Sequence, residues 1–166
     1  MKITRRHFIK AATSAALLSG LSALGGFGVE AQDERSALAS QDTFCTSIAC
    51  IDGRVQRPLY DYLRELCQVN YVDMITVPGP DKILSDGGAM TEFIRSEVSI
   101  SIEKHNSKTV AIAGHHDCKA NSVSKEEHWS EIQEAVKRIR SWNLPVSVIG
   151  LWVNENWKVE VVPEKP

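Results

Sequence analysis

Short apolar runs alternate with segments of helical periodicity along most of the chain, and this alternation restricts the possible folds. Strands are predicted at Phe44–Cys50, Tyr71–Val77 and 109–113, with helices at about 58–68 and 90–105 between them. Strands separated by helices of this length form parallel βαβ units with right-handed crossovers. The sequence therefore predicts an α/β fold in which a small, mostly parallel sheet is flanked by helices.

The C-terminal part of the pattern predicts a different kind of connection. Ser124 has the character of an N-cap for a helix that runs to Trp142, and Pro145 interrupts the helical pattern. The strand-like runs 146–153 and 157–162 are then separated by only three residues, which is typical of an antiparallel hairpin. We therefore expect the sheet to end in a C-terminal antiparallel hairpin.

The first 31 residues differ from the rest of the chain. Residues 4–10, Thr-Arg-Arg-His-Phe-Ile-Lys, resemble the twin-arginine export motif and precede a weakly apolar run rich in alanine, serine and glycine. Cleavage after Ala31 would release a soluble chain, and an uncleaved membrane anchor is the alternative. We expect a signal peptide over 1–31, a flexible tether over 32–42 and one domain over 43–166. The twin-arginine machinery would then be a partner, and the location periplasmic or extracellular.

Charge argues against nucleic acid as a partner. The whole chain has a net charge of -2, and the leader carries four basic residues against one acidic residue, or +3, so the remainder carries -5. A mildly acidic domain lacks the basic surface that a polyanion requires. A small-molecule substrate is a better expectation for this chain.

Two polar motifs directly follow predicted strands. Cys-Ile-Asp-Gly-Arg at 50–54 follows the first strand, and His-His-Asp-Cys at 115–118 follows the third. The carboxyl ends of parallel strands form a crevice that binds ligands, so the two motifs can meet in space. Zinc accepts thiolate and imidazole ligands in a tetrahedral arrangement, and catalytic sites keep one position open. Cys50, His115 and Cys118 are therefore the candidate ligands of a Zn²⁺ cofactor.

Asp52 determines what kind of zinc site this would be. It either supplies a fourth ligand, which closes the site, or is held away from the metal by Arg54 in a bidentate ion pair. A closed site is typical of structural zinc, whereas an open one binds water. The residues by themselves leave both alternatives open.

The spacing Cys-x-Asp-x-Arg, followed about sixty residues later by His-x-x-Cys, resembles the zinc signature of β-class carbonic anhydrases. The resemblance spans most of the chain after the leader. It implies that Cys50, His115 and Cys118 bind zinc and that Asp52 and Arg54 form a catalytic dyad beside it. The implied reaction is the reversible hydration of carbon dioxide to bicarbonate by a zinc-bound hydroxide, whose hydrogen bond Asp52 would accept.

Other functions fit the same ligands. Proteins with this zinc pattern include hydrolases of carbonyl sulfide and carbon disulfide. A structural zinc, or a disulfide switch between Cys50 and Cys118, would instead give a non-catalytic zinc-binding or thiol-redox module. His116 is either a proton shuttle or an inert loop residue. A homodimer is possible, because small sheets of this kind leave apolar edges.

Several remaining residues are predicted to have structural roles. Cys45 and Cys67 are interpreted as buried thiols that pack as small apolar side chains, in preference to a disulfide between them. His105 and His128 are expected at solvated helix positions. The Pro-Gly-Pro segment at 78–80 stops the second strand, and this segment and Gly87-Gly88 are interpreted as plain connecting loops in preference to a lid or pocket wall.

Overall fold

The computed structural model describes residues 42–164, in which strands and helices alternate. The elements are β1 (Phe44–Cys50), α1 (Gly53–Cys67), β2 (Tyr71–Val77), α2 (Pro80–Asp86), α3 (Ala89–His105), β3 (Thr109–His115), α4 (Lys125–Ser141), β4 (Ser147–Val153) and β5 (Val159–Val161). The predicted signal peptide and the tether up to residue 41 lie outside the described residues. Within residues 42–164, no helix has the length and apolar character needed to cross a membrane.

The five strands form one sheet in the order β2-β1-β3-β4-β5. The β1–β2, β1–β3 and β3–β4 pairs are parallel, and β4–β5 is antiparallel. The predicted fold class, a mostly parallel sheet with a C-terminal antiparallel hairpin, is confirmed. The chain winds outward from β1 to β2 and then returns to place β3 on the other side of β1. The carboxyl ends of β1 and β3 therefore flank the topological switch point, where open α/β sheets bind ligands.

Side chains alternate between two core layers along β3. Val110 and Ile112 pack in the layer formed with α2, α3 and α4, whereas Ala111 and Ala113 pack in the layer formed with α1. Successive side chains of a strand point to opposite faces, and both faces of this parallel sheet are covered by helices. Residues 114 and 115 consequently face different layers at the end of β3.

Helix α1 begins at Gly53, so the prediction that it begins near residue 58 was wrong. The Asp52 carboxylate accepts a hydrogen bond of 3.0 Å from the backbone N–H of Arg54 and caps the helix. Pro58 lies within the helix, where its missing N–H removes one intrahelical hydrogen bond. The N-cap property of Asp52 was the signal for the true start.

A second correction concerns helix α2, which the sequence pattern did not predict. Residues 78 and 79 form the expected connection, and Pro80 begins the helix. Gly79 adopts a left-handed conformation with a φ of 58° before the helix, and Pro80 occupies the first turn. Proline suits this position because its φ is already helical and its missing N–H would have had no intrahelical acceptor. By contrast, Ser124 caps α4 as predicted, with its Oγ accepting from the Glu127 N–H at 3.2 Å.

Candidate metal centre

The three candidate zinc ligands meet at the switch point of the sheet. Cys50 ends β1, His115 ends β3 and Cys118 lies in the turn that follows, with one donor atom from each within 4.8 Å of the other two. All three residues are buried. The two Sγ atoms are 3.9 Å apart, close to the separation of about 3.8 Å that a tetrahedral zinc with Zn–S bonds of about 2.3 Å requires. The geometry of the donor set therefore fits zinc.

The ring of His115 is oriented as a metal ligand. Its Nδ1 lies 2.7 Å from the carbonyl oxygen of His116, so the Nδ1–H donates to that oxygen. Its Nε2 is buried and has no hydrogen-bond partner in the described part of the chain. Histidines that bind metals commonly donate their other N–H to a carbonyl in this way, and the unpaired nitrogen takes the ion. Burial also lowers the pKa of His115, which favours the neutral ring that a metal requires.

The environment of the Cys118 thiol couples metal binding to loss of a proton. Burial raises the pKa of Cys118 to about 11, while hydrogen bonds from the backbone N–H groups of Ala120 and Asn121 act in the opposite direction. A buried thiolate needs a positive charge nearby, and a coordinated divalent cation provides it. Zinc binding is thus expected to release the proton of this thiol.

The Asp52 carboxylate is held by Arg54 instead of joining the ligand cluster. Arg54 Nη2 donates to Asp52 Oδ2 at 2.6 Å, and Nε lies 3.0 and 3.1 Å from the two carboxylate oxygens. The hydrogen bonds from the Arg54 side chain, and to a lesser extent the one from its backbone N–H, hold the pKa of Asp52 well below its usual value of 3.8. The close group of donor atoms contains Cys50, His115 and Cys118 but not Asp52. The arrangement favours an ionised carboxylate beside a site with an open position.

Residues from the turn after β3 and from the β4–β5 hairpin form the rim of the centre. Arg54 Nη1 donates to Asp117 Oδ2 at 3.3 Å, and the guanidinium lies 5.0 Å from the ring centroid of Trp157. The His116 ring packs on the same indole at 4.4 Å between centroids. Trp157 lies in the turn between β4 and β5, which brings its ring to this edge of the sheet.

A second polar cluster lies in the other core layer, and it overturns one prediction. His128 is 2% exposed, not solvated, because α4 packs on α2 and directs the ring at Asp81, whose carboxylate accepts from Nδ1. Sequence reasoning missed this partner because it did not predict helix α2. His105 does lie at a partly exposed helix position, where its Nδ1 is 2.8 Å from Asp73 Oδ2.

The remaining two cysteines lie away from the metal centre, at the opposite end of β1. Both are free thiols, in agreement with the sequence interpretation. Cys45 is fully buried, and this burial raises its pKa to about 12. Cys67 is only partly buried, at the end of α1. These residues provide matched thiols outside the candidate site.

Comparison with known proteins gave a family match and several similar folds. A family model described as putative carbonic anhydrase matches residues 40–163. Similar solved structures include the β-carbonic anhydrase isoform I of Trichomonas vaginalis, with 14% identity over 72% of this chain and 82% of that chain and a TM-score of 0.48. A structure of tetrameric β-carbonic anhydrases of Sordaria macrospora has 11% identity over 78% of this chain and 84% of that chain, with a TM-score of 0.48. A β-carbonic anhydrase of Aspergillus fumigatus has 13% identity over 80% of this chain and 81% of that chain, with a TM-score of 0.45.

The search of curated proteins returned no match. The family model covers every residue of the candidate metal centre and of its rim. It begins after the predicted signal peptide, so it bears on the folded domain alone.

Proposed function

The chain belongs to the family of putative carbonic anhydrases, and from this premise we propose that it hydrates carbon dioxide reversibly to bicarbonate at a zinc ion. The proposed ligands are Cys50, His115 and Cys118. The observation that carries the proposal is the buried His115 Nε2, which has no partner among residues 42–164 and faces two thiols 3.9 Å apart. When bound, zinc lowers the pKa of coordinated water from 15.7 to about 7 and so supplies hydroxide near neutral pH.

Asp52 is proposed to orient the attacking oxygen. Its carboxylate is ionised at neutral pH, so it could accept a hydrogen bond at the open position beside the three ligands and orient the attacking oxygen there. Arg54 keeps the carboxylate in place with its Nε and Nη2, while Nη1 reaches Asp117. Moving Asp52 onto the metal would break these hydrogen bonds. The dyad therefore supports an open, catalytic centre over a closed, structural one.

Stopped-flow hydration of carbon dioxide by protein of measured zinc content tests the proposal. Wild-type protein is expected to bind one zinc at this centre and to be active, whereas Cys50→Ser should lose both properties because a ligand is removed. Cys45→Ser is the matched control, since Cys45 lies in the same strand but outside the ligand cluster. Full zinc occupancy at the centre without hydration would contradict the enzymatic function and favour a non-catalytic module or a related electrophile such as carbonyl sulfide.

We also propose that the chain is exported by the twin-arginine machinery and acts in the periplasm or outside the cell. The support is the motif at residues 4–10 and the small-residue run that follows it. Replacing both Arg5 and Arg6 with Lys is expected to retain the protein in the cytoplasm. N-terminal sequencing of the exported protein should begin near Gln32, and a start at Met1 would contradict cleavage.

The homodimer expected from the sequence remains a proposal. Helix α3 presents three apolar side chains that are about half exposed, Met90, Phe93 and Ile100, with exposures of 46–50%. Exposed apolar patches of this kind often mark contacts between proteins. Sedimentation equilibrium is expected to show a wild-type dimer that Phe93→Glu weakens, and a monomeric wild type would contradict it.

A further inference from the structure

A cluster of metal-binding side chain types lies between α2 and α4, away from the cysteine centre. Asp81 belongs to the first turn of α2, and His128 and Glu131 are three residues apart on α4. One donor atom from each lies within 4.8 Å of the other two. Asp81 and His128 are 1% and 2% exposed, and Glu131 is half-buried. The cluster is therefore assembled from fixed helices and is open to solvent only on the side of Glu131.

One oxygen of this cluster has no partner. Asp81 Oδ2 accepts from His128 and lies 3.3 Å from Asn121 Nδ2, whereas Asp81 Oδ1 is buried without a hydrogen bond among the described residues. An unpaired buried carboxylate oxygen is costly. This atom is distinct from those that make the hydrogen bonds of the cluster, and it is available to a cation.

The charge of the cluster points to the same ligand. Two carboxylates face one imidazole, so the cluster is negative even with a protonated ring. The half-buried carboxylate of Glu131 is poorly solvated, and this burial raises its pKa. The nearby ammonium of Lys82 is engaged with Asp86 at 3.2 Å. A divalent cation would neutralise both carboxylates at once.

Gly114 leaves the space that the Asp81 carboxylate occupies. A Cβ at Gly114 would lie 2.9 Å from Asp81 Oδ2, closer than such atoms approach in proteins, and 3.0 Å from Ile132 Cδ1, which is also a tight contact. The backbone at the end of β3 therefore forms one wall of the cluster. This wall also separates it from His115, which faces the α1 layer.

We propose that Asp81, His128 and Glu131 bind a second divalent cation. Asn121 Nδ2 lies among the three donor groups, 3.3 Å from Asp81 Oδ2, 3.3 Å from His128 Nδ1 and 2.5 Å from Glu131 Oε2. It thus occupies the region that all three donor groups face. Turning the amide would present Asn121 Oδ1 as a fourth ligand, and the cation would replace the proton that His128 Nδ1 donates to Asp81. Carboxylate, imidazole and amide oxygen donors suit Mn²⁺ or Zn²⁺, and Mn²⁺ prefers such a set to thiolates.

Mn²⁺ titration of the zinc-loaded full chain, followed by the electron paramagnetic resonance of free Mn²⁺, tests this proposal. Wild-type protein is expected to bind one Mn²⁺ per chain. Glu131→Gln should weaken binding at least about 10- to 100-fold, since even outer-shell partners contribute that much to metal affinity. This variant keeps an oxygen that can accept from Asn121, and Glu131 is only half-buried, so it is expected to fold.

Two control variants make the result specific to this cluster. Glu127→Gln removes an exposed carboxylate one turn earlier on α4 and should leave Mn²⁺ binding unchanged. Cys118→Ser should also keep Mn²⁺ binding while losing the zinc of the cysteine centre. Binding of neither Mn²⁺ nor a second equivalent of Zn²⁺ would overturn the proposal and leave a structural hydrogen-bond network. Equal binding by wild type and Glu131→Gln, or loss of binding in Cys118→Ser, would overturn it as well. None of these readouts depends on hydration activity.

Discussion

The two faces of β3 at its carboxyl end carry clusters of different chemistry. His115 joins two thiols in the layer of α1, whereas Gly114, one residue earlier, gives the opposite layer room for Asp81 and its partner His128. Each cluster has one imidazole and one buried donor atom without a hydrogen-bond partner in the described chain. Successive residues of a strand face opposite sides of the sheet, so residues 114 and 115 lie beside different donor sets. Thiols, which are soft donors, lie on one side, and carboxylates, which are hard donors, lie on the other.

The clusters also differ in the elements that build them. Two of the three candidate ligands of the cysteine centre end paired strands in the middle of the sheet, while the second cluster depends on the packing of α2 against α4. The turn after β3 contributes to both, with Cys118 on one side and Asn121 on the other. The first cluster is thus fixed by sheet register and the second by helix packing.

The same substitution on each face gives the largest expected contrast. His115→Gln should lose zinc and lower hydration by more than about 100-fold, because even outer-shell partners of a metal are worth 10- to 100-fold. His128→Gln should retain the zinc of the cysteine centre and most of the activity, but lose about 1–3 kcal/mol of stability through its buried polar partners. Zinc analysis, stopped-flow assays and urea unfolding measure these effects. Equal loss of activity in both variants would contradict the proposal that the cysteine centre works independently of the second cluster.

Asp52→Asn tests whether the cysteine centre is open. Hydration is expected to fall about 10- to 100-fold with zinc retained, because an amide orients the attacking oxygen less well than a carboxylate. Asp117→Asn is the control, since Asp117 contacts the same guanidinium through one bond of 3.3 Å and is 43% exposed. Loss of zinc from Asp52→Asn would instead identify Asp52 as a ligand and the centre as closed.

Gly114→Ala should disturb only the second cluster. The new methyl group would press on Asp81 and Ile132, so we expect a loss of about 1–3 kcal/mol in the free energy of unfolding and weaker Mn²⁺ binding. Zinc content should stay the same because His115 faces the other layer. Gly53→Ala is the matched control, as a Cβ there meets no atom within 4 Å. Equal stability of the two variants would contradict the close approach of Asp81.

Trp157→Leu is expected to have the smallest effect. Removing the indole takes away a cation–π contact with the half-exposed Arg54, worth about 0.5–1 kcal/mol, so hydration should fall about two- to fivefold. Trp142→Leu, at the end of α4, removes the same side chain away from the centre and should leave activity unchanged. An unchanged rate in Trp157→Leu would show that the rim does not help to hold the dyad.

The features that depend on local sequence patterns, namely the strands and the positions of the two polar motifs, were predicted from the sequence. Strand periodicity placed the motifs at 50–54 and 115–118 at the same edge of the sheet, and the structure brings three of their side chains together. The pairing of Asp81 with His128 was missed because it depends on how α2 and α4 pack, for which neither helix carries a local signal. The start of α1 was missed because Asp52 was interpreted only as a chemical group, although it is also an N-cap.

That double use of Asp52 links the folding of a helix to the integrity of the candidate centre. Its Oδ1 accepts from the backbone N–H of Arg54 while the same carboxylate holds the guanidinium of that residue. Fraying of the first turn of α1 would therefore release the dyad in the same event. Local opening at a helix end is ordinarily among the least costly motions of a protein. Slow hydrogen exchange at the Arg54 amide would therefore report, from the backbone, that the dyad is in place.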